Sequence, residues 1–172
     1  MRNITLPELL KLYNAGLRNF SGITLENQSE ADTTLKDADL SGIDLSFANL
    51  ADVRLEWIDL SRAKLQGAYL HSSIFINVDL SYADLGDANL RRCYWSGVDL
   101  SVAYLGRAIL FESDLRKCNL YYTDFEQAVL IRSTFDLAMN TEPFRIWGAF
   151  VLHMIMPDGT VDEGPRFVDY PD

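Results

Sequence analysis

Large apolar residues recur at every fifth position along this chain. From Phe20 to Phe135 the register holds twenty-four positions: eighteen Leu, four Phe (Phe20, Phe75, Phe125, Phe135), Trp95, and the one exception, Glu30. Between residues 18 and 135 no Leu lies outside it. From Ile23 onward, two residues before each centre stands a small or β-branched residue (Ile23, Ala38, Ile43, Ala48, Val53 and onward to Ser133), with Gln28 the exception. A spacing of two places both residues on one face of an extended segment and points the residue between them outward. The other two residues of each five, many of them Ser, Gly, Asp, Arg or Lys, must turn the chain. A helix would scatter a period of five around its circumference. A hairpin sheet would alternate without interruption. A chain that turns every five residues must coil.

A second period gives the number of sides. Asp39-Leu40-Ser41, Asp59-Leu60-Ser61, Asp79-Leu80-Ser81 and Asp99-Leu100-Ser101 recur every twenty residues, and Asn19-Phe20-Ser21 and Asn119-Leu120 are expected to extend the series at its two ends. Four pentapeptides per turn make a square coil in which these tripeptides stack. Residues 18–138 then form about six coils, close to 30 Å of shaft at roughly 4.8 Å per coil. Such coils depend on stacking and need caps. Thr5-Leu6-Pro7-Glu8 has capping-box spacing and predicts a short helix to about Asn14, stopped at Gly16, with Leu6, Leu9, Leu10 and Tyr13 covering the first coil. The predicted segments are therefore a helical cap over 1–17, the shaft over 18–138, and a C-terminal cap and tail over 139–172. The register fails after Ala138, with a shifted restart at Ala149/Val151 and Met154/Met156. Pro157-Asp158-Gly159 reads as a turn. Phe144, Ile146, Trp147 and Phe150 cap the shaft, make a dimer contact, or both. The broken repeat at Gln28 and Glu30 reads as a local bulge.

The runs Ala38-Asp39-Leu40-Ser41-Gly42 and Ala48-Asn49-Leu50-Ala51-Asp52 resemble the A(D/N)LXX signature of pentapeptide-repeat proteins. Ile155-Met156-Pro157-Asp158-Gly159-Thr160 resembles the ending of many cyanobacterial members. The resemblance implies an all-β fold, a right-handed quadrilateral β-helix, here with a short N-terminal capping helix. A rigid rod with variable outward residues is a display platform and suits a protein that works by binding.

Composition narrows the function. The net charge is −10, with the acidity at the two ends and a neutral middle over 61–135, so direct nucleic-acid binding is disfavoured. No apolar run is long enough to span a membrane, and a cytoplasmic location is the default, a lumenal or periplasmic one after loss of a leader staying open. Cys93 and Cys118 occupy small inward positions and read as buried side chains. His71, expected to be exposed, and His153 lie far apart, so no nucleophile–base set assembles and no enzyme or cofactor is expected. The ladder Asp39, Asp59, Asp79, Asp99 reads as part of the repeat rather than as a cation site. On the third face, the upper coils place Ile109, Phe111, Val129 and Ile131 outward, where lower coils have Asn49, Tyr69, Asn89 and Arg91. These four form the candidate interaction patch, unless the C-terminal segment folds back over them. The expected function is binding or scaffolding, with another protein or a second copy as partner. The alternative, which the resemblance to pentapeptide-repeat proteins implies, is inhibition of a type II topoisomerase (gyrase) by duplex mimicry, which the net charge fits and the neutral middle fits poorly.

Overall fold

The computed structural model describes residues 2–26 and 34–170; the broken repeat at Gln28 and Glu30 lies outside them. The chain is a right-handed quadrilateral β-helix of about seven turns with one short helix. Its rungs bond upward through a twenty-residue step: Leu40 N–H donates to the Asp59 carbonyl at 2.8 Å, and Leu60 N–H to that of Asp79 at 2.8 Å. The corners after the first and second faces close on the N–H of the next small residue, as in Ile43 to the Leu40 carbonyl at 3.1 Å and Ala63 to that of Leu60 at 3.0 Å. The second residue after each centre sits at positive φ, from Asp37 (52°) to Leu137 (59°), the feature of a type II turn.

Four columns of centres fill the interior. The first face stacks Leu40, Leu60, Leu80, Leu100 and Leu120; the second Leu45, Leu65, Leu85, Leu105 and Phe125; the third Leu50, Leu70, Leu90, Leu110 and Leu130; the fourth Leu55, Phe75, Trp95, Leu115 and Phe135. From Leu70 to Phe135 every one of these centres is at most 1 % exposed. Phe75 and Trp95 stack at 4.2 Å and 10°. On the fourth face the pairing is regular enough to give a four-stranded parallel sheet, β3 (Thr34–Lys36), β4 (Arg54–Glu56), β5 (Ile74–Ile76) and β6 (Tyr94–Ser96).

The lower end follows from local sequence. Helix α1 (Leu6–Asn14) starts at Thr5, whose hydroxyl accepts from Glu8 N–H at 3.3 Å, and carries Pro7 in its first turn. The Glu8 carboxylate pairs with Arg2 at 2.9 Å instead of returning to the cap. Leu6, Leu9 and Tyr13 are buried against the shaft, Leu10 is partly so, and the Tyr13 hydroxyl donates to the Ser41 carbonyl at 2.9 Å. Ahead of the helix, β1 (Asn3–Ile4) adds a rung beneath β2 (Thr24–Leu25) that the helical-cap expectation did not contain. One register expectation is overturned: Asn19 bridges Asp44 and not Asp39, and Thr24 bridges Asn49. Twenty-five residues separate each of these pairs, so the first turn is one pentapeptide too long for Asn19-Phe20-Ser21 to stack under the Asp39 column. At the other end Asn119 does continue that column above Asp99.

Past Ala138 the coil resumes one residue later. Arg145 lies above Asp124, and β8 (Phe150–Leu152) above β7 (Val129–Ile131). Ala149, Val151 and Met154 are fully buried, and Met156 packs against the core. Phe144 closes the bore against Phe125 (6.1 Å) and Phe135 (5.3 Å). Pro157-Asp158-Gly159 turns as expected, with Gly159 at φ 81° and Asp158 Oδ1 accepting from Thr160 N–H at 2.9 Å. The chain then reverses. Strand β10 (Val161–Asp162) pairs antiparallel with β9 (Met154–Ile155), and β11 (Arg166–Phe167) antiparallel with β8, covering the upper edges of the fourth and third faces. Covered edges no longer template another chain.

Candidate interaction face

On the third face each five presents two outward side chains, one on either side of a buried centre. The residues before the centre stack as Asn49, Tyr69, Asn89, Ile109, Val129 and Phe150, each bridged to the next. Those after it stack as Ala51, His71, Arg91, Phe111, Ile131 and Leu152. Ile109, Phe111, Val129 and Ile131 are all outward and half-buried, while Leu110 and Leu130 between them are sealed. Strands a few ångströms above and below cover the flanks of each side chain and leave its tip in solvent. The described C-terminal residues, up to residue 170, do not fold back over this patch. They extend it: Phe150 and Leu152 carry both apolar columns one rung higher, and Phe167 on β11 packs on Phe150 at 5.1 Å. Below, Phe111 shares an open recess with His71, Asn89, Arg91 and Arg92, and His71 also walls the next recess with Phe47, Asn49 and Tyr69. Lying between two recesses, His71 is half-buried and not exposed as expected.

The remaining candidates resolve into structure. Asp39, Asp59, Asp79 and Asp99 each accept the backbone N–H of the serine two residues on, at 2.8–2.9 Å. The Ser41 N–H and hydroxyl hold the Asp39 carboxyl below its ordinary range. These aspartates lock corners. Among the described residues no group of His, Cys, Asp and Glu is arranged to hold a metal ion. His153 sits on the corner beyond Leu152, its Nδ1 2.7 Å from Glu163 Oε2. Cys93 and Cys118 are free and buried, and burial pushes both thiols up to about 12. Cys93 belongs to a hidden column behind the third face. Its thiol donates to the Leu70 carbonyl at 3.0 Å, just as the hydroxyls of Ser73, Ser113 and Ser133 donate to the carbonyls of Leu50, Leu90 and Leu110.

A second apolar surface was not anticipated. Tyr82, Val102 and Tyr122 stack on the corner after the first face, are 40–59 % exposed, and are joined by Tyr121 at 4.7 Å from Tyr122. These are turn positions, which the composition of the repeat assigns to polar residues; only the column of three read at twenty-residue spacing could have revealed them.

The model of pentapeptide repeats matches in eight copies over residues 31–67, 54–92, 83–110 and 108–138. The chain belongs to the pentapeptide-repeat family. Comparison with curated proteins finds no match. Among solved structures, this pentapeptide-repeat protein is similar to HetL, a pentapeptide repeat protein involved in heterocyst differentiation regulation from the cyanobacterium Nostoc, at 23 % identity over 92 % of this chain and 100 % of that one, with a TM-score of 0.42. A second Nostoc pentapeptide repeat protein is 31 % identical over 81 % of this chain and 84 % of that one, with a TM-score of 0.23. A thylakoid-lumen member from Arabidopsis thaliana is 22 % identical over 79 % and 90 %, with a TM-score of 0.38. Among the described residues no helix is long and apolar enough to cross a membrane.

Proposed function

We propose that the chain is a non-enzymatic binding or scaffolding protein whose third face docks another protein. The observation that carries this reading is the outward apolar stack of Ile109, Phe111, Val129 and Ile131, continued by Phe150 and Leu152 on a rung that the repeat alone does not require. Lower rungs of the same columns hold Asn49, Asn89 and Arg91, so the apolar character is not part of the folding code. A shaft whose rungs are hydrogen-bonded to one another through the twenty-residue step presents these side chains with little ordering left to do on association. The net charge of −10 supports a protein rather than a nucleic acid as partner. Covering the patch contributes a few kcal/mol at about 25 cal/mol per Å² of apolar surface. The test is Phe111→Glu combined with Ile131→Glu, followed by sedimentation and binding measurements beside the wild type. The expected result is a β-rich circular-dichroism spectrum with association lost. A double variant that still associates, or a wild type that is monomeric and takes no protein, overturns the reading. Phe111→Ser with Ile131→Thr serves as the milder pair should the glutamates disturb the coil.

A further inference from the structure

The third face is set apart from the others by charge as well as by apolarity, and this inference, which rests on its role as a protein-docking face, concerns what it docks. In a chain with ten more acidic than basic residues, no outward position of the third face from Asn49 to Leu152 is acidic. The other faces carry Asp59 and Asp79, Asp84 and Asp124, and Glu56 and Asp114. The carboxylates on the corners flanking its middle are already committed. Asp87 holds Arg107 through two contacts of 2.7 Å, and Glu112 sits between Arg92 at 3.1 Å and Arg132 at 3.3 Å. Arg91 is left over. Its main chain bonds Asn89 and Cys93, but among the described residues its guanidinium has no partner, and it stands exposed in the recess beside Phe111 and His71. The lower half of the face is thus cationic and aromatic, the upper half apolar, and Phe111 belongs to both.

We infer that the third face takes an acidic–apolar peptide segment of a partner protein. The partner's carboxylate lies on Arg91, whose planar fork suits it, and its apolar side chains cover Ile109, Val129 and Ile131. A second copy of the chain does not fit, because a two-fold contact through this face brings Arg91 no carboxylate. Arg91 and Ile131 are two rungs apart, roughly 10 Å, which an extended segment spans in about three residues. The recognised sequence therefore carries Asp or Glu two to four positions from a pair of apolar residues.

Random dodecapeptides displayed on phage and selected on the intact protein test this, with synthetic winners measured by fluorescence polarisation against the wild type and the Phe111→Glu/Ile131→Glu variant. The expected winners have that acidic–apolar spacing, bind Arg91→Glu about tenfold or more weakly, and give way to Lys- or Arg-bearing peptides with the same apolar pair when Arg91→Glu is itself the bait. Apolar winners without the acid, or acidic winners indifferent to Arg91→Glu, overturn the inference while leaving the docking face standing. Winners that bind the Phe111→Glu/Ile131→Glu variant equally well overturn the docking face itself.

Discussion

Val102 and Gly42 occupy the same corner of the shaft, three turns apart, in the same backbone conformation: φ is 59° at Val102 and 66° at Gly42. The left-handed region is open to glycine and strained for a β-branched residue. A non-glycine held there costs about 1–3 kcal/mol. Val102→Gly removes that cost but gives the unfolded chain more freedom, an offset of about 0.5–1 kcal/mol. Val102 is 40 % exposed, so the burial lost with the rest of its side chain takes back up to about 1 kcal/mol. The balance is a gain of at most about 1 kcal/mol, which for a chain of this length raises Tm by no more than about 2–4 °C. Gly42→Val is the reciprocal change. A Cβ at Gly42 meets nothing within 4 Å, so its effect reports the backbone alone, and stability falls by about 1 kcal/mol. The sites are roughly 15 Å apart at about 4.8 Å per turn, beyond the range of coupling, so the double exchange melts close to the wild type. Thermal melts of the four proteins by circular dichroism decide the matter. If Val102→Gly melts lower while Gly42→Val also loses stability, packing among Tyr82, Val102 and Tyr122 outweighs strain and the argument fails. If neither change moves Tm, the left-handed corner is not a constraint at all.

Two further outcomes follow from the interior. Cys93→Ser keeps a donor to the Leu70 carbonyl, as Ser73 and Ser113 show for their own rungs, and is expected within about 0.5 kcal/mol of wild type by urea denaturation, whereas Cys93→Ala removes the thiol donor, leaves that carbonyl the Ser73 N–H at 3.2 Å, and loses about 0.5–1 kcal/mol. Leu80→Lys places a charge at a site with no exposure and unfolds the chain, while Ser81→Lys, one residue on and outward, changes stability by no more than about 0.5 kcal/mol; equal losses in the two melts would contradict the inward register.

The core was legible because it repeats: each Leu, Phe or Trp at the fifth position is a buried centre, and the outward placement of Phe111 and Ile131 follows from the same count. The misreadings occur where the count slips. Asn19 matches the Asp39 series by residue type, but the longer first turn puts it under Asp44. Phe150 and Leu152 belong to the third face, yet a one-residue insertion after Ala138 hides them from a strict period of five. Strand β1 precedes the helix and its two residues carry no pattern of their own. The Tyr82–Val102–Tyr122 corner escaped because composition alone assigns turn positions to polar residues, although backbone conformation and not polarity is what the corner demands. Arg91 was visible as one of the polar residues on the lower rungs; that its charge is uncompensated depends on the ion pairs of Asp87 and Glu112, which the periodicity does not reveal.

The two departures from the twenty-residue step differ in size and agree in outcome. Between Asp124 and Arg145 the single extra residue is absorbed locally, and every column above it keeps its compass bearing. Between Asn19 and Asp44 the excess is a whole pentapeptide, yet Asn19 still lies beneath Asp44 and Thr24 beneath Asn49. Ten residues instead of five separate Thr24 on the third face from Thr34 on the fourth, so the turn keeps four sides and nothing above it is rotated. The heading of the third face relative to helix α1 is therefore set by which rungs bond and is independent of the number of residues spent on one side. Length added or removed between Thr24 and Thr34 would leave the apolar surface aimed at the same neighbour.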